Sequence, residues 1–164
     1  MKKETRFYNI FFPVWLLLIY PVGWIFVIIG NFLVDTIVFQ VGGKFLKVKR
    51  LDLVYKKTIW KAFLLGLAAD LVGSGLLFLT VLGPDGWWMD TIGGPVSQNP
   101  FQSFPAFLLV LLVVAVCGVL IYWFNRKLTF RKVDLPARSK HILSLYMAIF
   151  TAPYLFFLPT EWLY

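Results

Sequence analysis

The chain has 164 residues, of which 60% are hydrophobic, 19% aromatic and only 15% charged. Soluble domains usually carry about 25% charged residues, and the mean hydropathy of +0.78 departs from them in the same direction. A soluble fold of this size leaves roughly a third of its chain surface exposed, so it could not hide this much apolar surface. The composition predicts an integral membrane protein and excludes disordered, collagen-like and disulfide-stapled secreted chains.

Four apolar stretches follow one another along the chain. The first covers residues 7–41, which is too long for one ordinary span and too short for two. It predicts either a helical hairpin that turns at residues 20–23 or one long helix kinked at Pro21. About 20 apolar residues span a ~30 Å hydrocarbon core, so each of the other three stretches predicts one transmembrane helix. These three helices are expected at residues 62–82, 104–124 and 139–158.

The basic residues decide between the two forms of the first stretch. All sixteen lysines and arginines fall within residues 2–6, 44–61 and 126–140. Cytoplasmic loops of membrane proteins carry an excess of Lys and Arg, and only the hairpin places all three groups on that side. We therefore expect an all-α bundle of one domain, multi-pass in the cell membrane. Its N-terminus and basic loops are expected in the cytoplasm and its C-terminus outside.

Residues 44–61 interleave seven cations with apolar side chains. That composition is typical of a segment that lies in the membrane interface on anionic lipid. Two interpretations are open: the cations set the orientation of the chain alone, or they also bind a phosphate-bearing headgroup. No nucleic-acid-binding motif accompanies the charge, so nucleic acid is not an expected partner.

The residues that usually carry catalysis are scarce. The chain has one histidine, His141, and one cysteine, Cys117. These leave neither a His/Cys metal cluster nor a nucleophile–base set of the Ser/His/Asp or Cys/His kind. We therefore expect no enzyme, no catalytic residue, no metal and no cofactor.

Two carboxylates, Asp35 and Asp70, fall inside the apolar stretches. An intramembrane charge costs about 3 kcal/mol even on insertion scales, so such residues are functional candidates. Asp35 precedes Lys44 by nine residues and Asp70 follows Lys61 by nine. At ~1.5 Å per residue, both lie roughly 13 Å inside the basic boundary. We expect the two carboxylates at the same depth.

Asn31 lies one helical turn from Asp35, and Ser74 lies one turn from Asp70. The spacing predicts a buried polar cluster of these four residues. The cluster is either a substrate or ion pathway or a structural clamp between helices.

A second candidate site follows the third predicted helix. Residues 124–131, Phe-Asn-Arg-Lys-Leu-Thr-Phe-Arg, resemble the Asn-x-(Arg/Lys)-x-Thr-Phe-(Lys/Arg) segment of GtrA-like proteins. Residues 29–39 are similar to the first-helix pattern of that family, which has an Asn and often an Asp in an apolar run. Three features are not part of that pattern: the hairpin form of the first stretch, residues 44–61 and Asp70.

The resemblance implies a small four-helix membrane protein that flips, or helps to flip, polyprenyl-phosphate-linked sugars. Cations at headgroup level would bind such a phosphate through charge-assisted hydrogen bonds. The residues expected to form this headgroup site are Asn125, Arg126, Lys127 and Arg131.

We therefore expect a transporter or flippase-type protein for an anionic, polyprenyl-phosphate-linked substrate. The alternative is a non-catalytic accessory or regulatory subunit of a larger membrane complex, in which Asp35 and Asp70 are packing elements. The expected partners are anionic membrane lipids and either a second copy of the chain or a larger complex.

Overall fold

The computed structural model describes residues 21–160, and every regular element in that range is helical. The α-helices are α1 (Pro21–Phe45), α2 (Leu51–Val81), α3 (Gly94–Gln98), α4 (Phe104–Phe124) and α5 (Ala137–Phe150). Three short π-helical or 3-10 turns lie between them: Met89–Gly93, Pro100–Gln102 and Asn125–Thr129. A fourth, the 3-10 turn Tyr154–Phe157, follows α5.

Three of the described helices are long and apolar enough to cross a membrane. The qualifying segments are Ile28–Phe45, Leu51–Val81 and Phe104–Thr129. Large apolar side chains on their outward faces have no protein neighbour to cover them; Leu79 and Leu112, for example, are 63% and 64% exposed. An apolar outer surface of this kind is suited to lipid contact.

The first arm of the expected N-terminal hairpin, residues 7–20, lies outside the described residues, and the hairpin stays a prediction. Pro21 begins α1, a position at which the missing N–H of proline is tolerated. From there α1 continues without interruption to Phe45 and packs against both α2 and α5.

Helix α2 is longer than the expected span at residues 62–82. It begins at Leu51, so the first three turns belong to the segment that the sequence indicated as interfacial. At ~1.5 Å per residue its 31 residues reach about 46 Å, well beyond a ~30 Å hydrocarbon core. The helix continues through this region because Val54, Thr58 and Ala62 recur at helical spacing on one buried face.

The predicted helix at 139–158 is correct only in its first part, because α5 ends at Phe150. A proline inside a helix is expected to kink it. Pro153 instead follows the end of α5. A proline cannot donate to the carbonyl four residues earlier. The hydroxyl of Tyr154 donates to that carbonyl, Ile149 O, over 2.5 Å instead.

Residues 151–160 continue the path of α5 without α-helix. At their end, Thr160 Oγ1 donates to Gln98 O over 2.9 Å. Residues 137–160, here called the broken segment, therefore run from the end of the molecule that contains the α1–α2 turn to the end that contains α3. We call the first of these the basic end, because all thirteen described lysines and arginines lie at or near it. We call the second the far end.

The apolar core is divided into two clusters along the long axis. The basic-end cluster includes Ala69, Ile121 and Ala148, whereas the far-end cluster includes Leu77 and Cys117. The division falls between Cys117 and Ile121 on α4 and between Ala148 and Ala152 on the broken segment. On α2 the clusters overlap, because Leu67 packs against the far-end cluster and Ala69 belongs to the basic-end cluster. Polar side chains occupy that level, and we call them the polar layer: Asn31, Asp35, Asp70, Ser74 and Thr151.

Candidate functional site: a carboxylate-lined cavity

A cavity of about 520 Å³ opens at the polar layer, between α1, α2 and the broken segment. Its polar side chains are Asn31, Asp35, Asp70 and Thr151. The remaining walls are largely apolar and aromatic. No Lys, Arg or His is among the described residues that line it. The cavity therefore combines an apolar wall with a group of hydrogen-bond acceptors that have no cation beside them among the described lining residues.

Asp70 and Asn31 connect α2 to α1. Asn31 Nδ2 donates to Asp70 Oδ2 over 2.9 Å. The other carboxyl oxygen, Asp70 Oδ1, is buried and has no hydrogen-bond partner among the described residues. A buried polar atom without a partner is unusual in folded proteins and calls for an explanation such as a bound molecule.

Asp35 faces the same space from one turn further along α1, and its side chain is 5% exposed. It interacts with the side chain of Thr151 and with the charge of Asp70. Gly66, on the facing turn of α2, lies beside it: a Cβ added there would meet Asp35 Oδ2 at 3.6 Å, an ordinary van der Waals contact. The structure therefore places Asn31, Asp35 and Asp70 around one cavity.

Ser74, the fourth residue expected in the cluster, does not line the cavity. Its side chain is 1% exposed, and its Oγ has no hydrogen-bond partner among the described residues. It lies beside Gly73, where a Cβ would come within 2.5 Å of Cys117 Sγ and 2.8 Å of Phe156 Cε2. Ser74 is therefore buried in the helix packing one turn beyond Asp70 and is not among the lining residues of the cavity.

Thr151 and the residues after it, which are not α-helical, form the wall that the sequence did not predict. Irregular backbone at membrane depth is tolerated where it is buried in protein or lines a cavity. Phe150 and Thr151, at the C-terminus of α5, both line this cavity. Because helix C-termini carry partial negative charge, this end adds to the negative potential of the two aspartates. Broken helices of this kind form substrate and ion sites in several transporter folds.

The four residues of the expected headgroup site differ in exposure, and the site stays a prediction. Asn125 is 1% exposed, and its Nδ2 donates to Ile121 O over 3.0 Å. Arg126 carries a buried Nη1 without a partner among the described residues, whereas Lys127 and Arg131 are exposed. None of the four lines the carboxylate-lined cavity. Asn125 therefore belongs to the helix packing, on the π-helical turn that follows α4.

A second cavity, of about 680 Å³, lies at the basic end between the α1–α2 turn, the start of α2 and residues 132–139. We call it the basic cleft. The cations among its lining residues are Lys47, Lys49, Arg50, Lys57 and Lys132, and one carboxylate, Asp134, lines it as well. The composition of residues 44–61 indicated a segment that contacts anionic groups. It could not indicate Lys132, because only the fold brings this residue to the cleft.

The remaining chemistry-bearing side chains have local partners. Cys117 is buried, and its thiol donates to Ala69 O over 3.3 Å. His141 Nδ1 lies 2.7 Å from the hydroxyl of Tyr122. Within residues 21–160, no group of three or more His, Cys, Asp or Glu side chains could hold a metal ion.

No protein-family model matches the chain, and it matches neither a curated protein nor a solved structure. The resemblance to GtrA-like proteins therefore depends on residues 29–39 and 124–131 alone.

Proposed function

We propose that this chain is a small membrane transport protein of the flippase type. The observation that carries the proposal is the cavity at the break in the broken segment, where Asp35 and Asp70 face a space bounded by backbone that is not α-helical. Two carboxylates inside an apolar bundle are expensive to bury. Such an arrangement is expected when the carboxylates bind a substrate that crosses the membrane.

The lining of the cavity defines the kind of group that fits it. Leu67, Phe156 and Leu158 supply an apolar wall, while the polar layer supplies acceptors on the opposite side. Ligand sites commonly combine such apolar walls with a few placed polar groups. An amphiphilic substrate satisfies both, with its chain against the apolar wall and its hydroxyl or amino groups donating to the aspartates.

The charge of the cavity excludes a phosphate from the polar layer itself. An anion beside Asp35 and Asp70 would add like charge where no lining cation compensates. An anionic, polyprenyl-phosphate-linked substrate would therefore place its sugar in the cavity and its phosphate at the basic end. Asp35 precedes Phe45, the last residue of α1, by ten residues, or about 15 Å. In this proposal the basic end faces the cytoplasm, as the positive-inside rule favours.

The direct test replaces each carboxylate by its amide. Asp35→Asn and Asp70→Asn keep the side-chain size, remove the charge and turn one acceptor into a donor. We expect each to reduce transport at least about tenfold, because charge-assisted hydrogen bonds are among the strong ones. The assay uses proteoliposomes with a fluorescent polyprenyl-phosphate hexose that an external quencher reaches only in the outer leaflet. Asp52→Asn, an exposed position in the first turn of α2, is the matched control.

A second experiment tests occupation of the cavity directly. Gly66→Cys in a Cys117→Ala background puts the single thiol of the described residues on the cavity wall. We expect a thiosulfonate reagent to label it, and the polyprenyl-phosphate hexose to slow the labelling. The same protein with Asp70→Asn should lose that protection.

Other results would decide against transport. Full transport activity in both amide variants would contradict the proposal. Loss of folded protein in both variants, together with a stoichiometric protein partner in native mass spectrometry, would favour the alternative of an accessory subunit with a structural polar layer.

A further inference from the structure

The basic cleft holds its cations on unusual backbone. Lys47 and Arg50 have φ values of 50° and 52°, and they are the two non-glycine residues with positive φ among those the structure describes. This left-handed conformation is disfavoured for L-residues other than Gly, Asn and Asp. Both residues line the cleft. The chain therefore has long cationic side chains at two positions where the backbone favours glycine.

The turn shows why glycine would be expected at Lys47. Val48 N–H donates to Gly43 O, and Lys47 N–H donates to Lys44 O, each over 3.0 Å. These two bonds form a Schellman motif, in which the left-handed residue after the helix end is usually glycine. Lys47 occupies that position at the end of α1.

Arg50 stands at the equivalent point before α2. It is the N-cap residue, and its side chain makes no capping hydrogen bond. Ser, Thr, Asp and Asn are preferred at such positions because their side chains accept from the first N–H groups. An arginine supplies no acceptor, so helix stability does not explain its presence.

Orientation in the membrane does not explain the two residues either. The positive-inside rule counts cations near the membrane without regard to backbone conformation, and exposed helical lysines such as Lys56 and Lys61 already satisfy it. Strained residues cluster where a site requires a particular side-chain placement. The strain at Lys47 and Arg50 therefore indicates placed cations.

The cleft also brings in a cation from a distant part of the chain. Lys132 follows α4, 82 residues after Arg50, and lines the same cavity of about 680 Å³. The five lining cations face a single lining carboxylate, Asp134. Val54 and Val133 contribute an apolar floor. A concave site of this charge suits a compact polyanion, which several ammonium groups and one guanidinium can contact together.

We propose that the basic cleft is a phosphate-binding site for a phosphate monoester or diphosphate group. The group comes either from a lipid headgroup or from a soluble phosphate compound. Lys47 and Arg50 contact it from the turn, Lys57 from the second turn of α2 and Lys132 from the opposite wall. The site is separate from the carboxylate-lined cavity, so its occupancy does not depend on whether the chain transports.

The test measures binding and uses no transport assay. The protein is placed in phosphatidylcholine nanodiscs at physiological salt, and inorganic pyrophosphate is titrated into it. In a second titration, the fraction of phosphatidic acid in the nanodiscs is raised stepwise. We expect saturable binding of at least one probe, with competition between them if they share the cleft. Binding of pyrophosphate alone assigns the site to a soluble compound, and binding of phosphatidic acid alone assigns it to a headgroup.

The decisive variants are Lys47→Gly and Arg50→Gly. Each removes one cation and relieves the left-handed strain, so the thermal unfolding temperature should stay equal or rise while affinity falls about tenfold. Lys57→Gln should weaken binding similarly. Lys56→Gln, its exposed neighbour outside the cleft, is the matched control and should change affinity less than twofold.

Two results would overturn the proposal. One is absence of saturable binding for both probes. The other is an equal loss of affinity in Lys56→Gln and Lys57→Gln, which would show that the probes sense the overall charge of the basic end and not a placed set of cations.

Discussion

Helix α4 and the broken segment carry the same sequence-based prediction and reach different structures. Both were predicted as transmembrane helices from an apolar stretch of about 20 residues. Helix α4 has its proline at Pro105, in the first turn, and remains helical to Phe124. The broken segment has Pro153 in its interior and leaves the α-helix after Phe150. The position of one proline therefore separates a plain packing helix from a segment that opens a cavity.

The contrast extends to what each element presents to α2. Helix α4 contributes apolar side chains such as Val110, Val114 and Ile121 to the two clusters. The broken segment contributes to the cavity Thr151 and backbone that is not α-helical. Asn31, Asp35 and Asp70 face the level at which this segment leaves the α-helix, and Thr151 lies at the interruption itself.

The largest expected effect comes from Gly73, where α2 touches both elements at once. Gly73→Val would place new atoms against Cys117 of α4 and Phe156 of the broken segment. Overpacking of this kind destabilises by about 1–3 kcal/mol, and we expect the upper part of that range. Thermal unfolding in detergent measures it. Gly75→Ala, where a Cβ meets nothing within 4 Å, should leave stability unchanged or slightly raise it. Equal losses in the two variants would contradict the close packing at Gly73.

The next effect concerns the bond between Asn31 and Asp70. Asn31→Ala removes the partner of Asp70 Oδ2 and leaves both oxygens of this carboxyl without one. An unpartnered buried group costs about 1–3 kcal/mol, so the free energy of unfolding should fall by that amount. Thr36→Val removes a hydrogen bond between two neutral hydroxyls, Thr36 and Tyr55, and should cost less. A larger loss in Thr36→Val would show that Asp70 finds another partner.

The smallest effect tests the break itself by a double-mutant cycle. Tyr154→Phe removes the donor to Ile149 O and should cost about 1 kcal/mol. Pro153→Ala restores a backbone N–H that can donate to the same carbonyl. In that background, Tyr154→Phe should cost almost nothing. Denaturant unfolding of the four proteins gives the coupling energy, and additive losses would mean that Ile149 O is not the shared acceptor.

The regular parts of the fold were readable from the sequence. Residues 104–124 were predicted as one helix and are α4, because an uninterrupted apolar run is bounded by Ser103 and Asn125. The start of α2 was not predicted. Mixed cations and apolar residues at 51–61 fit an interfacial segment as well as a helix, and only the packing of Val54 and Thr58 decides for the helix.

The candidate site was predictable where it depends on the cost of burying charge. Asp35 and Asp70 were identified because carboxylates are unfavourable in apolar stretches. Thr151 was missed, since its place in the cavity depends on how α5 ends. The cleft residues Lys47 and Arg50 were indicated only as part of a basic segment. Their left-handed backbone contradicts local preference, so no reading of the sequence alone could find it.

The division of the core by the polar layer has a mechanical consequence. A continuous apolar core resists shear, because every displacement breaks close contacts. Here part of the boundary between the two clusters is polar, and water can satisfy such groups in a new arrangement. Helices α2 and α4 nevertheless run unbroken through both clusters and hold the two ends in line. The compliant part of this level is therefore the cavity wall beside Asp35 and Asp70, where the broken segment is no longer α-helical.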